Sequence, residues 1–93
     1  MKCYASIDRI EGEFAVCEVE LVSIEESTKL NFFEKETEII DISISKINEI
    51  CDNIKEGDII IVEYDETNIS HIYGKDEFEK QRRIKLLEEI IRK

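Results

Sequence analysis

Few residues in this chain combine a type and a spacing that could do chemistry. His71 is the single histidine, so a Ser-His-Asp or Cys-His mechanism would have to use it. It belongs to the run Ile69-Ser70-His71-Ile72-Tyr73, whose alternation is typical of a strand in which every second side chain faces solvent. The sequence therefore predicts that the protein is not an enzyme.

The three cysteines give no metal or disulfide pattern. Cys3, Cys17 and Cys51 form no Cys-x-x-Cys pair, and an odd number cannot all pair within one chain. The acidic residues contain no Asp-x-Asp-x-Asp-Gly loop of the kind that binds calcium. We therefore expect no metal and no cofactor, with reduced cysteines acting as small apolar side chains. A redox role is the alternative.

Two small groups of residues are candidate sites. Asp8, Arg9 and Asp41 could form a salt-bridged cluster across neighbouring strands, structural in role, with an acid/base site as the alternative. Leu30, Phe32 and Phe33 form an apolar knot between charged neighbours. The two phenylalanine rings either plug one end of the core or stand with Leu30 at the tip of an extended hairpin that binds a partner.

The charge is strongly negative and unevenly distributed. The 93 residues carry a formal net charge of −10. Residues 1–73 contain 6 Lys/Arg against 18 Asp/Glu, a net of −12, whereas residues 74–93 contain 7 against 5, a net of +2. An acidic body repels nucleic-acid phosphates and anionic membranes and favours basic partners. The charge could also serve solubility alone.

The opening of the chain predicts a β-hairpin, around which the remaining elements are arranged. Residues 2–10 and 13–22 fit antiparallel strands, and Gly12 supplies the positive φ that a tight turn requires. A two-residue loop of Glu11-Gly12 would pair Ile10 with Glu13. We expect the second strand to run to about Ile24 and to return through residues 30–33, so that residues 22–37 form an extended hairpin.

The rest of the chain predicts more strands and then one helix. The strands are 38–44, with Ile40, Ile42 and Ile44 on one face, the doubly apolar 59–64 in the sheet interior, and 69–73, and a helical turn is expected within 45–51. From Gly74 the period is helical, over 75–92. We expect Gly74 to act as N-cap, Tyr73 and Phe78 to form a hydrophobic staple, and Ile84, Leu87 and Ile91 to dock on the sheet.

These elements predict one domain, residues 1–93, that is mostly β with one C-terminal α-helix. Residues 1–73 would form a small, strongly bent antiparallel sheet or open barrel of five or six strands. Both faces of the first hairpin are partly apolar, which a flat, half-solvated sheet would not require. No apolar run approaches the ~20 residues that a membrane helix needs, and no signal peptide is recognisable, so we expect a cytoplasmic protein.

The order of these features resembles the bacterial DUF3006 family, a domain of unknown function. The resemblance rests on Ile7-Asp8-Arg9-Ile10-Glu11-Gly12-Glu13-Phe14-Ala15-Val16, Ile40-Asp41-Ile42-Ser43, Lys55-Glu56-Gly57-Asp58-Ile59-Ile60 and the charged helix that follows. Two departures are the length of residues 22–37 and Ser43, where a proline is usual. Similar domains occur in low-GC Gram-positive bacteria, sometimes beside metallo-β-lactamase-fold hydrolases, which implies an accessory role.

The functional expectation is a non-catalytic, acidic protein-interaction module with an accessory or regulatory role. Its partner would be another protein, basic in character or a hydrolase, and an edge strand could serve for β-augmentation. One alternative is a small-barrel nucleic-acid-binding protein, since Lys80, Arg82, Arg83 and Lys85 lie on one stretch of helix. Another is an inhibitor or immunity-type protein that mimics a polyanion. The sequence does not indicate the oligomeric state.

Overall fold

A computed structural model describes residues 1–31, 34–66 and 68–91 of the chain. The elements in order are β1 (Lys2–Glu11), β2 (Phe14–Glu20), α1 (Ile24–Ser27), β3 (Thr37–Ser43), α2 (Ile44–Asn48), β4 (Ile59–Asp65), β5 (Asn68–Lys75) and α3 (Glu77–Ile91). None of the helices in these ranges combines the length and the apolar character that crossing a membrane requires.

The five strands form one antiparallel sheet in the order β3-β2-β1-β4-β5. The sheet is strongly curled. The curl is evident from the Tyr64 hydroxyl on β4, which donates a 2.6 Å hydrogen bond to Glu38 on β3 although two strands lie between them. This curl confirms the predicted fold class, a mostly β domain with a small, bent antiparallel sheet and one C-terminal helix. The doubly apolar strand β4 lies in the sheet interior, as its sequence predicts.

The core lies on the concave face of the sheet. Alternate residues of each strand point into it, and α2 with the segment after it closes one end through Ile47, which is fully buried. The buried strand residues of this core are Cys3, Ala5, Ile7, Ala15, Cys17, Val19, Ile42, Ile60, Val62, Tyr64 and Ile72. The helical turn predicted within 45–51 is thus confirmed as the short helix α2.

The first hairpin forms, but its predicted register is wrong. The turn residues are Gly12 and Glu13, so Ile10 pairs with Ala15 and not with Glu13. Gly12 adopts a φ of +58° at the first central position, as a type II′ turn requires. A bulge at Asp8 shifts the register again, so that Ile7 pairs with Cys17.

The predicted extension of the second strand is also wrong. Strand β2 ends at Glu20, and α1 follows where a turn was expected. Ser23 caps this helix, because its hydroxyl accepts a hydrogen bond from the Glu26 amide at 3.4 Å. Phe32 and Phe33 lie outside the described residues.

The C-terminal helix packs on the convex face of the sheet with charged side chains as its buried residues, and the predicted apolar docking forms only in part. Glu79 and Arg83 are the buried residues of α3, whereas Ile84, Leu87 and Ile91 are 40%, 48% and 81% exposed. Ile84 and Leu87 nevertheless line a groove between the helix and the sheet, whereas Ile91 does not dock. Pairing of Arg83 with the buried carboxylate of Glu20 positions the helix, at 2.8 Å between Nη1 and Oε2.

The start of α3 also differs from the prediction. Gly74 is the penultimate residue of β5, and the Asp76 carboxylate accepts a hydrogen bond from the Glu79 amide at 2.9 Å. Asp76 is therefore the capping residue, in agreement with the preference of N-caps for short polar side chains. The predicted staple does not form, since Phe78 is 83% exposed.

Candidate interaction site

The two outer strands of the curled sheet, β3 and β5, leave a seam open between them. In the part of the sheet that the structure describes, β3 pairs only with β2 and β5 only with β4. A groove of about 600 Å³ lies between these two edges. Helix α2 follows β3 directly and contacts β5, so it closes one end of the groove.

The backbone of β3 turns alternate residues toward this seam. The Leu21 amide donates to the Glu36 carbonyl and the Ile44 amide donates to the Glu13 carbonyl, both at 2.9 Å. In an antiparallel pair hydrogen-bonded and non-hydrogen-bonded residues alternate, so the even-numbered residues of β3 bond to β2. Thr37, Ile39, Asp41 and Ser43 therefore direct their N–H and C=O groups away from β2, toward the open edge.

The two edges differ in regularity. Strand β3 pairs with β2 in unbroken register from Thr37 to Ser43. Strand β5 is interrupted twice, because Tyr73 and Ser70 are extra residues opposite β4. Bulges twist an edge strand and break its ladder, which protects it from pairing with other chains. The edge of β3 is thus the one that offers an evenly spaced row of backbone donors and acceptors.

Apolar and polar side chains both line the groove beside this edge, and the uncharged polar ones are Ser43, Asn68, Ser70 and His71. Its apolar side chains come from both edges and from the end of α2, and they are Ile40, Ile42, Ile50, Ile69 and Ile72. The charged residues that line it are Asp41, Lys46 and Glu49. An extended chain beside β3 would meet these isoleucines on one face, with the charges of Asp41, Lys46 and Glu49 nearby.

The predicted cluster of Asp8, Arg9 and Asp41 forms only in part. Arg9 bonds to Asp8 at 2.8 Å and to the Glu11 carboxylate, and all three side chains are more than half exposed. Asp41 lies two strands away, since Val16 separates it from Arg9 in the register. Among the described ion pairs none includes Asp41, so its carboxylate is available beside the seam.

The predicted partner-binding knot can be located only through Leu30. This residue is half-buried after α1, and its amide donates to the Ser27 carbonyl at 3.4 Å. The roles predicted for Phe32 and Phe33 fall outside the described residues. Both interpretations of the knot, a core plug and a binding tip, stay predictions.

The sequence interpretation missed a buried ionic network between α3 and the sheet. Arg83 bridges Glu20 on β2 and Glu79 on its own helix, at 2.8 and 2.6 Å. Glu20 also accepts a 2.6 Å hydrogen bond from the Ser27 hydroxyl on α1 and lies 3.5 Å from the Lys35 ammonium. The sequence hint of this network is Glu20 between the apolar residues Val19 and Leu21, and such a pattern also occurs where the carboxylate faces solvent.

The charged helix residues counted as basic in the sequence are largely neutralised. Lys80 bonds to the buried Asp58 at 2.8 Å, and Arg82 pairs with Glu79 at 2.7 Å. Burial raises the pKa of Glu79, but the hydrogen bonds from Arg82 and Arg83 together lower it by more, so the pKa lies below its ordinary value. These residues form a structural network.

The histidine and the cysteines lie in different surroundings. His71 is exposed on β5, where its ring packs against the Tyr73 ring in a T-shaped arrangement, 4.6 Å between centroids, whereas Cys3 and Cys17 are buried in the concave core. Burial raises the pKa of the Cys17 thiol to about 12, which leaves it protonated and unreactive. Within 1–31, 34–66 and 68–91, no three His, Cys, Asp or Glu side chains are grouped to hold a metal ion.

Comparison with known proteins gives no family for the chain. It matches no family model, no curated protein and no solved structure. The resemblance to the DUF3006 family therefore stays a prediction, and function has to be argued from the geometry of the seam.

Proposed function

We propose that this protein is a non-catalytic interaction module, which binds an extended segment of a partner protein along the open edge of β3. The observation that carries the proposal is the regular outer edge of β3, which no described strand covers, beside a groove with five isoleucines in its lining. In β-augmentation main-chain hydrogen bonds supply affinity, and pockets for alternate side chains supply specificity. The seam offers both kinds of contact.

The charge distribution favours a protein partner over nucleic acid. Residues 1–73 carry a net charge of −12, which repels phosphates. Lys80, Arg82 and Arg83, which suggested a nucleic-acid surface, are engaged with Asp58, Glu79 and Glu20. An accessory role for a larger cytoplasmic protein, such as the hydrolases implied by the DUF3006 resemblance, agrees with a module that contributes an edge strand.

The test uses proline at an outward-facing position of β3. The Ile39 amide points away from β2, so Ile39→Pro removes an edge donor without breaking the β2–β3 ladder. Ile39→Val is the matched control, because it keeps a β-branched side chain and the amide. Each immobilised protein is exposed to nuclease-treated lysate of its own source cells, and the captured proteins are identified by mass spectrometry.

We expect one stoichiometric protein on the wild type and on Ile39→Val, and its loss on Ile39→Pro. A protein held equally by Ile39→Pro would contradict binding at the edge of β3. Recovery only of nucleic acid, or of proteins that disappear after nuclease treatment, would support the small-barrel alternative.

A further inference from the structure

The chemistry around the open edge of β3 selects the kind of segment that could pair with it. Directly opposed residues of neighbouring strands place their side chains on the same face of a sheet. Residues opposite Ile40 and Ile42 would enter the groove, next to Ile69 and Ile72 on β5. Apolar side chains on that face of an added strand would pack against these isoleucines, whereas a charged side chain would lose part of its hydration there.

The other face of an added strand would meet negative charge. Asp41 points to the convex side. Glu18, which is paired with Ile39 across β2 and β3, points to the same side. Basic side chains on that face are already paired, Arg9 with Asp8 and Glu11, and Arg83 and Lys35 with Glu20. Glu49 adds a carboxylate to the groove lining, and Lys46 is the one cation among the described groove residues.

On the basis of the proposed function, we infer that the partner segment alternates apolar residues with lysine or arginine. The apolar residues fill the groove, and the cations lie along the convex face beside Asp41. Electrostatic complementarity of this kind accelerates association and excludes acidic segments. The seam would then select its partner by both faces of the added strand, one apolar and one basic.

A second copy of the chain fits this edge poorly. Antiparallel pairing of β3 with another β3 would place Glu38 and Asp41 of both copies on the same two neighbouring strands. Each copy also carries a net charge of −10, so the approach is opposed at long range. The partner strand is therefore expected from a chain of opposite charge.

The inference can be tested with four fluorescently labelled peptides of seven residues, the length of β3. Three alternate valine with lysine, serine or glutamate. The fourth has the composition of the valine–lysine peptide in block order, so it has the same charge but cannot present one apolar and one basic face. Binding is measured by fluorescence anisotropy at low and at physiological ionic strength, with wild type, Asp41→Asn and Ile39→Pro.

We expect the valine–lysine peptide to bind most tightly, the block-ordered peptide more weakly, and the glutamate peptide not to bind. Asp41→Asn should weaken the valine–lysine peptide about twofold to fivefold, the value of one cross-strand charge pair. Physiological salt should weaken it further. Ile39→Pro should abolish binding.

Each contrary result has a separate meaning. Equal binding of the lysine and serine peptides, or of the alternating and block-ordered peptides, would overturn the partner chemistry. Absence of binding by all four peptides would also overturn it. In these cases capture from lysate by Ile39→Val, but not by Ile39→Pro, would still uphold the proposed function. Equal binding of the alternating peptide to wild type and Ile39→Pro would contradict the edge of β3 as the site itself.

Discussion

At the scale of single residues, Arg83 is the most consequential side chain for the fold. Its guanidinium bonds to Glu20 at 2.8 Å and to Glu79 at 2.6 Å, and it lies 5.1 Å from the centre of the Tyr4 ring. Both carboxylates are buried, and Arg83 is the cation that they share in compensation for their lost hydration. Arg83 thereby connects the last helix to the second strand, 63 residues earlier.

We predict that Arg83→Met lowers the free energy of unfolding by about 3 kcal/mol, the lower end of the range for a broken buried ion pair, because Glu20 and Glu79 keep Lys35 and Arg82 as second cations. Arg82→Met is the matched control on the same helix. Arg82 also pairs with Glu79 but is 36% exposed, so its loss should cost less than about 1 kcal/mol. Urea denaturation of the three proteins measures both values, and equal losses would contradict a special role for Arg83.

At the scale of elements, the decisive feature is the hydrogen-bonding parity of β3. Even-numbered residues bond to β2, and odd-numbered residues face the seam. Two adjacent residues of one strand therefore differ in what a lost amide would do. Loss of an even-numbered amide would remove a hydrogen bond to β2, and loss of an odd-numbered amide would remove a donor to the proposed partner.

We predict that Ile40→Pro and Ile39→Pro differ in stability although they are neighbours. Proline at 40 removes the donor to the Cys17 carbonyl, and a buried acceptor without a partner costs about 1–3 kcal/mol. Proline at 39 removes an amide that faces solvent, and its effect should be much smaller. Thermal or urea unfolding of the wild type and both variants measures the two losses of stability. A larger loss for Ile39→Pro would mean that the parity of β3 is the reverse of the one described.

Several elements could be predicted from local pattern. Alternation in 38–44 indicates β3, and Gly12 marks the first turn, because both signals depend on neighbouring residues only. The hairpin register could not be predicted, since the bulge at Asp8 and the choice of Gly12-Glu13 as turn depend on packing across strands. The helix stripe was misleading in part, because the pairing of Arg83 with Glu20 is a long-range choice that periodicity does not contain.

The candidate site was predictable only in part. The idea of an edge strand followed from the predicted sheet, and Ile40 and Ile42 on one face of β3 are confirmed as groove and core residues. Which strand forms an edge depends on strand order, and which amides face outward depends on register. Neither property is encoded in a short window of sequence.

At the scale of the whole molecule, the sheet is curled as in a small barrel but is left open between β3 and β5. Closure is the usual way in which a barrel removes its edges, and here the core is protected at one end by α2 instead. A partner strand on β3 would extend the sheet across the open side. The acidic body would attract such a strand if it were basic.

The measurement that tests this account most directly is residue-resolved amide exchange by NMR, with and without the alternating valine–lysine peptide. In the free protein we expect slow exchange at Glu38, Ile40 and Ile42 and fast exchange at Ile39, Asp41 and Ser43. Bound peptide should slow the odd-numbered amides of β3 selectively. Slow exchange of those amides in the free protein, or new protection confined to β5 or α3, would contradict β3 as the binding edge.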